Sequence, residues 1–160
     1  PAGERLHVAG RHYRLDGVRS GPAPAHDIGI WVGAAGPRAQ RLTGRVADGW
    51  AAPIPSYLPY QKWPEANRRI DLAAEEAGRK PSDILRMVQL VGTIQPDKGD
   101  FPTEGAAPLR GTAQQWAQYL ADLAARLPFR TFVFGPEEQS VDQVTRFAEE
   151  VVPAVRRLLA

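Results

Sequence analysis

The residues best placed to do chemistry are Gly33, Ala34, Ala35 and Gly36, followed by Pro37 and Arg38. They end a short apolar run with β-branched and aromatic members, residues 28–32, and open a segment where Ala39, Leu42 and Val46 recur at i, i+3 and i+7. The pattern predicts strand, tight turn and helix, with Pro37 first in the helix, where its missing N–H would have had no partner. Side chains this small let an incoming group approach the main chain. Unpaired N–H groups and the positive end of the helix dipole then favour an anion such as a phosphate. Arg38, in the first turn, adds charge for it. Two plainer readings stand beside this one: a strand-to-helix connection that needed small residues for packing, and Arg38 as an exposed helix residue. The turn is not a Walker loop, because no Gly-Lys-Ser/Thr follows, nor a G-x-G-x-x-G fingerprint, because its glycines stand three apart.

Other chemistries find little support. His7 and His12 lie in a hairpin-like segment and His26 just before the first core strand, without metal-ligand spacing. There is no cysteine, which excludes disulfides, thiolate metal sites and cysteine nucleophiles and suits a reducing cytoplasm. Ser20, Ser56, Ser82 and Ser140 read as turn or cap residues, and no nucleophile elbow surrounds them. The pairs Glu75-Glu76, Glu137-Glu138 and Glu149-Glu150 read as solvated charges. No catalytic residue is assigned, and no metal site. Trp50 and Pro53 would wall a ring system, or Trp50 is a core aromatic. The Pro/Gly-rich stretch 95–110 reads as a mobile lid or a disordered surface loop.

The elements along the chain position the turn. Residues 1–27 form an N-terminal hairpin and a Pro/Gly-rich connector: residues 6–8 and 12–15 are expected to pair across Ala9-Gly10, with Asp16-Gly17 a second turn. Residues 28–160 alternate strand and helix. Strands are expected at 28–32, from Asp48, at 87–94 and at 131–134. The 87–94 run is continuously apolar enough to be covered on both faces. Helices are expected at 37–46, at 59–77 on a stripe of Trp63, Ala66, Ile70, Ala73, Ala74 and Ala77, and after the capping box Thr112-x-x-Gln115. Ser140-x-x-Gln143 caps a last helix that buries Val144, Phe147, Val151, Val155 and Leu158, with a kink at Pro153. Four β-α units make a small doubly wound sheet, or half of an eight-unit barrel of roughly 250 residues.

The 160 residues carry a formal net charge of +2, with basic and acidic residues interspersed, so no concentrated face for nucleic acid is expected. No apolar run approaches the roughly 20 residues of a membrane span, and no signal peptide is visible. The chain starts at Pro1 rather than Met, so residues preceding it are expected.

The run Ile30-Trp-Val-Gly-Ala-Ala-Gly-Pro-Arg-Ala, then Leu42, Gly44-Arg45 and Ala47-Asp48-Gly49-Trp50, resembles a segment of the luciferase-like flavin-dependent monooxygenases. Gly10-Arg-His12-Tyr13-Arg14 with Gly21-Pro22-Ala-Pro24 resembles the lead-in to that strand. Phe132-Val-Phe-Gly135 with Phe147-Ala-Glu-Glu-Val-Val-Pro153 resembles the closing strand and helix. The resemblance implies an α/β fold: the C-terminal half of a TIM (β/α)8 barrel, strands five to eight with their helices. It implies FMN or the deazaflavin coenzyme F-420 as cofactor, its phosphate on Gly33, Ala34, Ala35 and Gly36 with Arg38, and a small organic substrate. The parent would be a flavin- or deazaflavin-dependent oxidoreductase or monooxygenase, and the isolated chain inactive. A half-barrel leaves strands 28–32 and 131–134 as open edges. Self-association, first as a two-fold dimer, or a missing N-terminal half-barrel would close them. The alternative function is a non-catalytic anion- or nucleotide-binding small α/β module.

Overall fold

A computed structural model describes residues 3–19 and 21–160. Strands β1 (Arg5–Ala9) and β2 (Arg14–Arg19) form an antiparallel hairpin. Its turn is a four-residue loop, 10–13, closed by the Gly10 N–H donating to Tyr13 O at 2.9 Å, and so is centred later than the reversal expected at Ala9-Gly10. Asp16-Gly17 is not a second turn. It lies within β2, with Gly17 at φ +69°, beside a register shift at Leu6/His7, so the glycine serves a bulge. The hairpin is exposed along nearly its whole length.

The remaining chain builds one parallel sheet with helices after its strands. β3 (Trp31–Gly33) leads to α1 (Pro37–Val46), and β4 (Gly49–Ala52) to α2 (Trp63–Glu76). β5 (Leu85–Ile94) leads through a short β6 (Leu109–Gly111) to α3 (Ala113–Arg126). β7 (Thr131–Pro136) leads to α4 (Val141–Arg146), a π turn over Phe147–Val151 and α5 (Val152–Leu159). Met87 and Val88 pair with β4 on one side and β7 on the other, which orders the main strands β3-β4-β5-β7. Gly92 pairs with both Leu109 and Pro136, so β6 extends β5 on the β4 side.

Burial sorts the two faces of this sheet. On β5, Arg86, Val88, Leu90, Gly92 and Ile94 are buried, while Met87, Gln89, Val91 and Thr93 are only half-buried. The first set faces the helices: Arg86 bonds Asp71 of α2, and a Cβ on Gly92 would meet Trp116 of α3. The strand is therefore covered on one face, not on both. Its apolar second face, with Trp31 laid over Gly49 and Val133 40% exposed, is left open. β3 and β7 are the outer strands of the sheet, the two expected to be open edges.

The helical layer holds the core. Trp63, Ala66, Ile70, Ala73 and Ala74 of α2 are buried as expected, but Ala77 is exposed beyond the helix end. Trp50 stacks on Phe129 at 6.0 Å, and Phe129 meets Trp63 edge-on at 5.7 Å. The capping box forms, with Gln115 N donating to Thr112 Oγ1 and Thr112 N to Gln115 Oε1, both at 3.2 Å.

Two helices depart from expectation. α1 buries Gln40, Thr43 and Gly44, while Leu42 and Val46 are 51% and 66% exposed. The small side is inward because α1 lies against α2 so closely that a Cβ on Gly44 would stand 2.3 Å from Ile70 O. In the closing segment Val151 is buried, whereas Val144 and Leu158 are 55% and 50% exposed. Ser140 makes no side-chain cap bond; Gln143 instead clamps the Ile94 main chain, donating to its O and accepting from its N. Pro153 produces the π turn, in which Val152 N–H reaches Phe147 O five residues back.

Candidate functional site

All four main strands run parallel, so Gly33, Ala52, Ile94 and Pro136 end on one rim of the sheet. The turn after β3 is built from behind. Trp50 Nε1–H donates to Ala34 O at 3.0 Å, and Gln40 Nε2–H donates to Ala35 O at 2.8 Å. Gly36 O accepts the first helical bond from Gln40 N at 3.0 Å. Ala34 O and Ala35 O thus point into the protein, and Gly36 O points along the helix.

A trans peptide sets its C=O and N–H on opposite sides. Fixing Ala34 O and Ala35 O inward therefore turns the N–H groups of Ala35 and Gly36 outward. Neither N–H has a partner among the described residues. No side chain caps α1, and no acidic residue stands in its first turn. The contrast with α3, whose capping box satisfies its own N-terminus, is a difference in design between two helices of one chain.

The glycines are not there for packing. A Cβ on Gly33 or Gly36 would meet nothing within 4 Å, and Gly36 has φ −85°, which any residue adopts. Their smallness keeps space open outside the turn. Gly33 and Ala35 line a cavity of about 400 Å³ on the open face of the sheet, with Ala51, Pro53, Tyr57 and Gln89. That lining contains no carboxylate. Outward N–H donors, a helix N-terminus and an acid-free wall fit the phosphate of a nucleotide-type cofactor.

The structure gathers Gly33, Ala34, Ala35 and Gly36 in this turn but sends Arg38 elsewhere. Arg38 is exposed, without a partner among the described residues, and lines a groove between α1 and α2 with Arg41 and Arg45. Trp50 is fully buried, so it is a core aromatic that also anchors the turn; Pro53 does reach the cavity. Gln40 and Trp50, the two donors behind the turn, were not legible as such. A glutamine at a helix position three after Pro37 signals its role only once the buried face of α1 is known.

A second cavity of about 400 Å³ lies on the same rim, around Thr93, Gln95, Arg110 and Glu137. Arg110 Nε and Nη2 fork onto the Glu137 carboxylate at 2.8 and 2.6 Å, and Thr93 Oγ1 adds a bond at 2.8 Å. Hydrogen bonding from Arg110 holds the Glu137 carboxyl below the ordinary carboxylate range, although burial opposes it. The pair bridges β6 to the segment after β7.

Stretch 95–110, irregular over most of its length, is packed at several points rather than loose. Phe101 packs on Trp116 and Tyr119, Tyr60 Oη–H donates to Ala107 O at 2.9 Å, and Gly99 exchanges two bonds with the Gln115 side chain. Burial pushes the Tyr60 phenol above its usual range and the Tyr119 phenol to about 12. Among the described residues no group of three or more His, Asp or Glu could hold a metal, and no helix is long and apolar enough to cross a membrane. His26 is exposed beside Asp27 O.

A parallel β-α sheet with these two cavities at the C-terminal ends of its strands fits a partial TIM barrel. The model of the luciferase-like monooxygenase family matches residues 2–153, and the chain belongs to that family. Among its relatives, an F420-dependent glucose-6-phosphate dehydrogenase of Nakamurella multipartita is 30% identical over 99 residues, 60% of this chain and 28% of that protein. One of the same description from Microbacterium testaceum is 26% identical over 163 residues, covering 92% of this chain and 47% of the relative. A riboflavin lyase crystallised with modified FMN and riboflavin shares the fold with a TM-score of 0.71 at 17% identity, over 96% of this chain and 48% of that one. An F420-dependent secondary alcohol dehydrogenase does so with a TM-score of 0.71 at 16% identity, over 97% and 57%. The chain spans about half the length of most of these proteins.

Proposed function

We propose that this chain is the C-terminal half of a flavin- or deazaflavin-dependent oxidoreductase, strands five to eight of the barrel, and that it supplies the phosphate cradle for the cofactor. The observation that carries the reading is the pair of outward, unpartnered N–H groups of Ala35 and Gly36 beside a cavity free of carboxylates. Gly33 and Ala34 shape the turn, and Ala35 and Gly36 donate to the phosphate. Arg38 adds long-range positive potential from the helix surface rather than a direct contact.

A bound flavin or deazaflavin supplies the hydride transfer or oxygen activation, and the protein orients it. What this chain's residues do is bind and orient. The turn fixes the anionic tail, the wall formed by Pro53 and Tyr57 limits where the remainder of the cofactor lies, and the sheet keeps both in register. The reading assigns proton transfer to no residue of this chain, and the isolated chain is expected to be inactive. A small organic substrate meets the assembled site.

The open sheet face and the outer strands β3 and β7 are covered by the preceding half of the barrel or by a second copy of the chain. Trp31 of β3 and Val133 of β7, large apolar side chains exposed on the outer strands, support such a cover. Titration with FMN, riboflavin and the deazaflavin coenzyme, followed by flavin fluorescence, tests the cofactor reading. Preference for the phosphate-bearing forms supports it, and equal or absent binding of all three overturns it. Sedimentation of the purified chain tests the cover: a stable monomer at all concentrations argues against self-association.

A further inference from the structure

We infer that Gln40 is a positioning residue for the anion cradle, and that Arg69 sets its orientation from the neighbouring helix. The inference rests on the phosphate-cradle reading given above and adds the residues that aim its donors. Gln40 lies on α1 with 1% of its surface exposed, in the layer between α1 and α2. A buried carboxamide is costly unless both ends are paired. Both are: Nε2–H donates to Ala35 O at 2.8 Å, and Oε1 accepts from Arg69 Nη1 at 2.6 Å.

The two ends of a carboxamide are nearly the same shape, so packing alone would tolerate either orientation. Arg69 removes that freedom. A guanidinium can only donate, which obliges Gln40 to present its oxygen to α2 and therefore its NH2 to the turn. Arg69 is itself held by Glu65 one helical turn earlier. The sequence of causes runs from an ion pair on α2, through one buried amide, to the plane of the Ala35–Gly36 peptide. With Ala35 O drawn inward, the Gly36 N–H must face out, and a carbonyl already accepting a bond makes its own N–H a stronger donor.

An apolar residue at position 40 would fill the same space and leave Ala35 O buried without a partner. The peptide would then be free to rotate, and the cradle would lose one fixed donor. Trp50 holds the preceding peptide independently, so the turn as a whole would persist.

The test uses the chain titrated with inorganic phosphate and read at the amide resonances of Ala35 and Gly36 by NMR. The wild-type chain is expected to show saturable shifts at both amides. Gln40→Met is expected to weaken that binding roughly tenfold, with the larger loss of response at Gly36. Gln40→Glu keeps the shape and the Arg69 contact but removes the donor, and is expected to match Gln40→Met. Arg69→Met leaves Gln40 in place without its orientation, and is expected to weaken binding by a smaller factor. Thermal melts establish that each variant is folded. Should Gln40→Met not fold, Arg69→Met decides, since the Arg69 side chain is only part-buried, 25% exposed, and methionine keeps its apolar stem. Saturable wild-type shifts with unaltered affinity in the folded variants overturn the positioning role alone. No saturable shift in the wild-type chain overturns the cradle, and the positioning role with it.

Discussion

The indole Nε1 of Trp50 donates to the carbonyl of Ala34 across 3.0 Å, tying the centre of the core to the turn that ends β3. Trp50 is fully buried against Phe129, so the turn inherits the rigidity of the aromatic cluster. Trp50→Phe keeps a ring on Phe129 and leaves Ala34 O without a donor. The expected cost is about 2 kcal/mol, the penalty of one orphaned buried carbonyl plus lost contact area. Denaturant unfolding should show a lower midpoint at an unchanged slope.

Two glycine-to-alanine changes in the same segment should have opposite signs. At Gly36 a methyl enters open space at a φ that alanine prefers, and the chain is expected to gain up to about 1 kcal/mol. At Gly44 the methyl would stand 2.3 Å from Ile70 O and force α1 off α2, at a cost of about 3 kcal/mol or more. Melting curves of the two variants check this. Phosphate affinity is expected to fall in Gly36→Ala even as stability rises.

Arg86 is 2% exposed and pairs with Asp71 at 2.5 Å, while Asn67 Oδ1 and Ile84 O take its other donors. Burial pulls its pKa down and Asp71 opposes that shift. Asp71→Asn should destabilise the fold by about 2 kcal/mol, moderated because the Asp71 side chain is 34% exposed. Replacing both partners, Arg86→Met with Asp71→Leu, should cost less than that single change. A double-mutant cycle in urea reads the difference.

Glu137 carries a pH dependence. Its carboxyl titrates below the ordinary range because Arg110 and Thr93 bond the charged form. A lowered folded-state pKa contributes stability above the unfolded value of about 4.3 and loses it as pH falls through the folded value. The stability gap between wild type and Glu137→Gln should therefore be full at pH 7 and shrink below about pH 4. A gap that does not change with pH would refute the assignment.

Much of the architecture is written locally. The Pro37 start of α1, the Thr112–Gln115 box and the apolar run of β5 each carry a signal within a few residues, and each appears in the fold. What was illegible depends on neighbours. Of the stripe of Ala39, Leu42 and Val46 only Ala39 packs on the core, because α1 meets α2 closely through Gly44 and leaves the two larger side chains exposed. Gln143 looks like a capping residue until Ile94 is brought beside it. Short β6 is hidden in a Pro/Gly-rich stretch, since three residues have no period to detect. The turn at Gly33–Gly36 was visible as small residues before a helix. The donors behind it came from sixteen residues downstream and from the buried face of α1, neither of which periodicity specifies.

The stretch between β5 and β6 is fastened by Phe101, Tyr60 and Gln115 before any ligand arrives. Association at this rim therefore has no segment there to freeze, and its entropic penalty is confined to the ligand and a few side chains. Calorimetry should find a heat-capacity change no larger than the contact area requires, and stopped-flow should find a single fast phase rather than a slow isomerisation after encounter.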